Sequence, residues 1–254
     1  MTQGAVRLSA TTFELVWRYL RLGELPTPLF VPPTVAKQRE AIEELGEADL
    51  LAGREDLDGH LVGLLRLLAR PADEFYGWFV RANGSAYSGV VAVHQGKAAL
   101  AVLEDDRLYL TPIPANTPAQ SLLGIAPRRP PVAAKSITVP VAEFGPPPGA
   151  RGRHADFAPA RGVLADDVDV ARLQALVSGP DQGRGQLFVA VRDPAGRRRK
   201  SVRPVYYLDT DEGRWLLEYT VRHGGEPWLT AAPGAPQALT HALYQARREL
   251  IGQR

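Results

Sequence analysis

The sequence predicts an α+β protein with a central antiparallel β-sheet and two quasi-two-fold-related halves. Three observations predict it. Short β-branched or aromatic runs are joined by hairpin-turn dipeptides such as Asn83-Gly84 and Gln95-Gly96. A pattern of helix, four strands, helix occurs twice, first from about Leu57 and again from about Asp166. No alternation of strand and helix calls for a parallel sheet. The two halves share this pattern without sharing residue identity. Two unrelated α+β domains are the alternative the same pattern leaves open.

The elements follow in order. Val6-Arg7-Leu8 reads as a short strand, and Ser9 and Thr11 as N-caps of a helix to about Leu22. Phe13, Val16, Trp17 and Leu20 fall on one face of it. Gly23 closes it, and Pro26, Pro28, Pro32 and Pro33 impose an extended connection. A polar helix is expected from Val35 to Leu45. Leu57, Leu61, Leu64, Leu65 and Leu68 form a helical stripe that Pro71 ends. Strands are expected at Phe75–Arg81, Tyr87–His94, Ala98–Leu103 and Arg107–Ile113, then a short helix at Pro118–Leu123. The middle of the chain is irregular and rich in proline, with one strand at Ile137–Val141. The second half brings a helix capped by Asp166 or Asp167, then strands at Gln186–Arg192, Ser201–Leu208, Trp215–Val221 and Pro227–Ala231. Gly224-Gly225 turns between the last two. A final helix carries Leu239, Ala242, Leu243, Ala246 and Leu250. We therefore expect a single domain over 1–254, with an N-terminal half 1–126, a Pro/Gly-rich connection 127–165 and a C-terminal half 166–254.

Composition narrows the function. The chain has 24 glycines and 22 prolines among 254 residues. That is ~18%, above the usual ~12% but below the range of disordered chains. Cysteine is absent, which excludes disulfides, a Cys nucleophile and thiolate metal sites. Thirty basic residues face 28 acidic ones, so no one-sided field points to nucleic acid. Only four of the basic residues are lysines, and the bias to Arg, Ala and Pro suggests a GC-rich coding sequence. The most apolar stretch, Leu61–Ala69, is broken by Arg66 and far short of the ~20 residues of a membrane span. Met1–Arg7 lacks an apolar targeting core. The expectation is a cytoplasmic protein with no membrane insertion.

No catalytic motif emerges. His60, His94, His154, His223 and His241 form no metal-binding spacing. Asp209-Thr210-Asp211-Glu212-Gly213 opens like a calcium loop, but Arg214 and Trp215 start a strand where further ligands belong. Gly183-Arg184-Gly185 precedes a strand and lacks a third glycine, so it is no dinucleotide fingerprint. Gly84–Gly89 is no nucleophile elbow. Asn83-Gly84-Ser85 reads as a turn. No cofactor or metal is expected. Arg197-Arg198-Arg199-Lys200 is the one dense basic cluster; it fits a hairpin that binds phosphates or an acidic protein patch, or one that guards a sheet edge.

Several stretches, in order, resemble the EspG family of type VII (ESX) secretion-associated chaperones of actinobacteria. They are Leu8-Ser9 through Trp17 with Leu22-Gly23 and its proline-rich extension, and Leu67-Leu68-Ala69-Arg70-Pro71 leading to Trp78. They continue with Gly213-Arg214-Trp215, Gly224-Gly225-Glu226-Pro227-Trp228, Ala232-Pro233 and the last helix. The resemblance implies a quasi-two-fold sheet fold and a cytosolic chaperone without catalysis. Its partner would be a PE–PPE heterodimer, bound at the tip of the PPE helical bundle, kept soluble and marked for secretion. In the family the contact uses the sheet, the loop between the first two long strands and the C-terminal helical region. Here that implies Arg81, Asn83, Gly84 and Ser85 in a short loop, and Tyr244 and Arg248 on the last helix. Arg197, Arg198 and Arg199 join them as candidate partner-binding residues. A homodimer stays open. So do two other classes: a nucleic-acid or polyanion binder built on Arg197–Lys200, and an enzyme assembled from scattered Asp, Glu, His and Tyr.

Overall fold

The computed structural model describes residues 4–31, 38–53, 56–144, 168–221 and 226–252. The cap at Asp166 or Asp167, His154, His223, the Gly224-Gly225 turn, Pro146–Pro148 and residues 35–37 of the polar helix lie outside them.

The first half comprises β1 (Val6–Ser9), α1 (Ala10–Tyr19), α2 (Gln38–Glu47), α3 (Gly59–Ala69), β2 (Asp73–Arg81), β3 (Ala86–His94), β4 (Lys97–Glu104), β5 (Arg107–Ile113) and α4 (Pro118–Leu123). The second comprises β6 (Ile137–Pro140), α5 (Val141–Phe144), α6 (Val168–Ser178), β7 (Gly183–Arg192), β8 (Arg198–Lys200), β9 (Val205–Thr210), β10 (Gly213–Val221), β11 (Pro227–Pro233) and α7 (Pro236–Gly252). All the described strands join one antiparallel sheet in the order β1-β5-β4-β3-β2-β7-β9-β10-β11-β6, with β8 paired to the far end of β7.

That order reads the same outward from the centre in both directions. β2 and β7 pair at the middle; β3, β4, β5 and β1 follow on one side, and β9, β10, β11 and β6 on the other. β6 and α5 lie inside 127–165, the stretch expected to connect the halves. They occupy in the second half the places of β1 and α1. The strand expected at Ser201–Leu208 is divided instead. Ser201–Pro204 bend away between β8 and β9, and Pro204 offers no N–H for a ladder.

The turns explain the tightness of the hairpins. Gln95 and Gly96 both have positive φ, as do Asp105 and Asp106, the geometry of a two-residue hairpin that matches strand twist. Gln95 and the two aspartates pay the strain that Gly96 avoids. α1 starts where Ser9 accepts from Thr12 N, and Asp58 caps α3 by accepting from His60 N and Leu61 N. α1 ends at Tyr19, earlier than Leu22, because Arg21 and Gly23 take positive φ.

Side-chain alternation sorts the layers. Across β2 and β7, Glu74, Tyr76, Trp78, Gln186, Phe188 and Ala190 share one face, because cross-strand partners point the same way. α1, α2 and α3 cover this face over β3–β5 and β1 with Phe13, Trp17, Leu45, Leu61 and Leu65. α5 and α6 cover it over β9–β11 and β6 with Val141, Val170 and Leu173. The other face carries Phe75, Phe79, Leu187, Val189 and Tyr207, and is covered by α4 and α7 through Leu122, Leu239 and Leu243. Helices therefore occupy both faces.

Two polar clusters lock the fold. Arg214 donates from Nε and Nη2 to Asp209 at 2.6 and 2.7 Å, and from Nη2 to the Pro127 carbonyl at 2.8 Å. Its guanidinium lies 4.0 Å from the centre of the Tyr207 ring. Burial opposes its charge, but Asp209 outweighs burial and raises its pKa. Its backbone bonds Pro130, Val132 and Gly234, so this residue ties β10 to the connection and to the entry of α7. Gly185 must be glycine here: a Cβ would sit 2.2 Å from the Tyr207 ring. Near the opposite edge of the sheet, Glu44 of α2 accepts from the Ser9 amide and the Ser9 and Thr12 hydroxyls, beside Arg107. Burial acts to raise its pKa, but these donors together hold the carboxyl below its usual value.

Two outcomes follow for stability. Arg214→Met strands the fully buried Asp209 carboxylate and should cost about 3–5 kcal/mol in urea unfolding. Adding Asp209→Leu to it should recover much of that loss. A Glu whose folded pKa is depressed stabilises above its unfolded pKa, and that stability is lost as pH falls through the folded value. The advantage of wild type over Glu44→Gln should thus be full near neutrality and shrink as pH drops below 4.5, measured by unfolding across a pH series.

Candidate partner-binding surface

The centre of the sheet is where the two helical layers on one face stop. β2 and β7 lie at the inner margin of the α1–α3 layer and outside the α5–α6 layer: Tyr76 and Ala190 are buried in the α1–α3 cluster, and Trp78 and Phe188 pack against it only half-buried. Burial along β7 alternates, with Gly183, Gly185, Leu187 and Val189 buried and Arg184, Gln186 and Phe188 only half-buried. Trp78 and Val80 on β2 are half-buried as well. The result is a half-buried strip floored by aromatic rings.

The rings are fixed against one another. Tyr76 stacks on Phe188 with centroids 5.6 Å apart and planes 15° from parallel. Trp78 meets both edge-on at 5.9 Å. Such pairs contribute about 0.5–1.5 kcal/mol each beyond burial, which makes the strip rigid. Tyr76 is buried beneath it, and burial raises its phenol pKa. A rigid aromatic floor with half-buried edges is what a protein partner's apolar side chains pack on at low entropic cost.

At the α3 end of the strip, Arg198 grips Glu74 with Nε at 2.9 and 3.0 Å and Nη2 at 2.7 Å. The guanidinium also lies 5.4 Å from the Tyr76 ring centre. Burial counts against the charge on Arg198, yet Glu74 raises its pKa overall. Glu74 is only 5% exposed, so this cation is committed inside the molecule. Arg197 is committed too, to Asp193 at 2.9 Å. Two of the four cations that suggested a polyanion site are thus spent on internal pairs.

The β2–β3 turn is built from the predicted residues. Ser85 donates from its amide and hydroxyl to Asn83 Oδ1, and Gly84 takes φ +80°. Arg81 pairs with Glu104 and lies 4.0 Å from the centre of the Tyr87 ring. Burial pushes the Tyr87 phenol up to about 12.

These candidates do not form one patch. Arg81 pairs with Gly183 at one end of the central ladder, while Asp73, at the other, pairs with Val191 beside β8. Nine ladder residues at ~3.3 Å separate the β2–β3 turn from the Arg197–Arg199 hairpin. Tyr244 lies on the opposite sheet face, packed 5.7 Å from Phe75, with its hydroxyl on Gln120. Arg248 is exposed on the same helix. The residues that floor the strip, Tyr76, Trp78, Gln186 and Phe188, were absent from the sequence-based candidates. Their only signal is period-two alternation, which does not say which face a helix will leave open.

An EspG family model matches residues 9–245. Among solved structures, the chain is similar to the Mycobacterium tuberculosis type VII secretion system chaperone EspG5, determined in complex with a PE25–PPE41 dimer. The TM-score is 0.68 at 14% identity, over 94% of each chain. No curated protein sequence matches. The chain belongs to the EspG family.

One outcome tests the clamp beside the strip. Arg198→Gln should destabilise the protein by about 3–5 kcal/mol by leaving Glu74 unpaired. Arg198→Lys should fail to restore it in thermal melts, because an ammonium cannot reproduce the two-point grip.

Proposed function

We propose that this EspG-family protein is a cytosolic export chaperone that works without catalysis. It binds a PE–PPE-type heterodimer, keeps it soluble and delivers it to an ESX/type VII secretion system. The observation that carries this reading is the half-buried aromatic strip on β2 and β7 at the margin of the α1–α3 layer. The client's helical tip would rest on Trp78, Gln186 and Phe188. The β2–β3 turn at Arg81–Ser85 would contact it from one end and α6 from one side. Family membership supports the reading, as does the complex in which the similar EspG5 was determined.

The physical logic is that of covering an apolar end. A client tip that exposes apolar side chains aggregates, and a rigid floor with a polar rim shields it while selecting by charge. The Arg198–Glu74 pair and the half-buried Arg184 supply that rim. Neither nucleotide nor metal is required by such a cycle.

Co-expression with the PE–PPE pair encoded near the gene tests it. Wild type should co-purify with the pair as a soluble complex. Trp78→Ala and Gln186→Arg should each lower capture about tenfold while the thermal melt stays within a few degrees, since hot-spot truncations cost ≥2 kcal/mol. Undiminished capture by both variants would remove the strip as the site. Failure of wild type to hold any such pair would remove the chaperone reading.

A further inference from the structure

The outer side of α7 carries a second surface, on the sheet face opposite the aromatic strip. Two adjoining depressions of about 520 and 610 Å³ run along it from Pro236 to Arg248 and share Gln120, Pro236 and Thr240. The first lies between the end of α4, the segment after it and the start of α7. Its walls are apolar at Leu123, Ala126 and Leu239, and Arg128 and Arg129 stand on it. The second carries Arg247 and Arg248 beside Tyr244. Neither is lined by a single Asp or Glu.

Many of the arginines that join elements are neutralised within the fold. Arg81, Arg184, Arg197, Arg198, Arg214 and Arg247 are each paired with a carboxylate. Arg128, Arg129 and Arg248 have no carboxylate partner among the described residues. The chain's net charge is only +2. Three uncompensated guanidiniums over an apolar trough are therefore a local concentration of charge that the composition hides.

We propose that this trough docks an acidic segment of a protein partner, with carboxylates on Arg128, Arg129 and Arg248 and apolar side chains in the depressions between them. Guanidinium forks take carboxylates two-pronged, and a desolvated apolar floor strengthens the pairs. A nucleic acid fits less well. Its affinity comes mainly from many phosphate contacts, and three cations spaced over apolar depressions supply few. Because the two surfaces lie on opposite sheet faces, one chain can hold a client and an acidic partner at once. The proposal does not rest on the client reading.

The probe is a fluorescein-labelled ten-residue peptide of eight glutamates and two leucines, titrated with the full chain by fluorescence polarisation. Wild type should bind it, bind its lysine analogue at least tenfold more weakly, and lose affinity as salt rises. Arg128→Glu/Arg129→Glu/Arg248→Glu should lower affinity at least tenfold; the Gln triple variant, which preserves side-chain bulk, should lower it by a smaller factor. Trp78→Ala should bind the peptide like wild type. No binding by wild type would overturn the proposal, as would equal binding by both triple variants. Tighter binding of a short DNA duplex than of the peptide, lost in the same variants, would replace the acidic protein with a nucleic acid.

Discussion

The structure depends on the pairing of β2 with β7. Nine residue pairs, from Asp73↔Val191 to Arg81↔Gly183, join segments about a hundred residues apart. Closing so long a loop costs entropy before any contact rewards it, so the ladder must be held by more than its own hydrogen bonds. At one end Arg198 binds Glu74 and Arg247 binds Asp73, drawing β8 and α7 onto the start of β2. At the other, Gln182 donates to the Asp209 carbonyl and brings β9 alongside β7. Gly77 lets the strands approach, since a Cβ there would lie 2.5 Å from the Gln186 carbonyl. Each half then adds its strands outward in the same order.

The same pairing shapes the candidate surface. Helices in each half cover the strands of that half, so the seam between halves is only half-covered on one face, at Trp78, Gln186 and Phe188. On the other, α4 and α7 lie across the centre and bury it. Two halves of the same strand order thus meet at a half-buried central strip. The aromatic floor and the arginine-rimmed trough on α7 are consequences of the two different ways the faces are covered.

Arginine chemistry recurs throughout. Nearly all the cationic residues are Arg, and the buried or half-buried ones act as planar clamps between elements that are distant in sequence. Arg214–Asp209 is the extreme case, 7% and 0% exposed. Such pairs add little stability over apolar packing, but they punish misalignment, because a clamp out of register leaves a buried charge. In an eleven-stranded sheet made of two similar halves, that penalty works against wrong register.

Much of the architecture was legible in the sequence. Helical stripes such as Leu61–Leu68 and hairpin dipeptides such as Gln95-Gly96 are local signals, set by a 3.6-residue period and by positive φ. The repeated element order gave the two halves, and short ordered motifs gave the family. The place of Ile137–Pro140 as the counterpart of Val6–Ser9 was not legible, because it is defined by which strand it joins. Nor was the division of Ser201–Leu208, or the commitment of Arg197 and Arg198 to Asp193 and Glu74. The candidate surface was least legible of all. Alternation told that Trp78 and Phe188 lie on one face of their strands. Only the tertiary structure decided that this face is the partly uncovered one at the seam, because exposure there is fixed by where helices from both halves end, and no single stretch of chain encodes that.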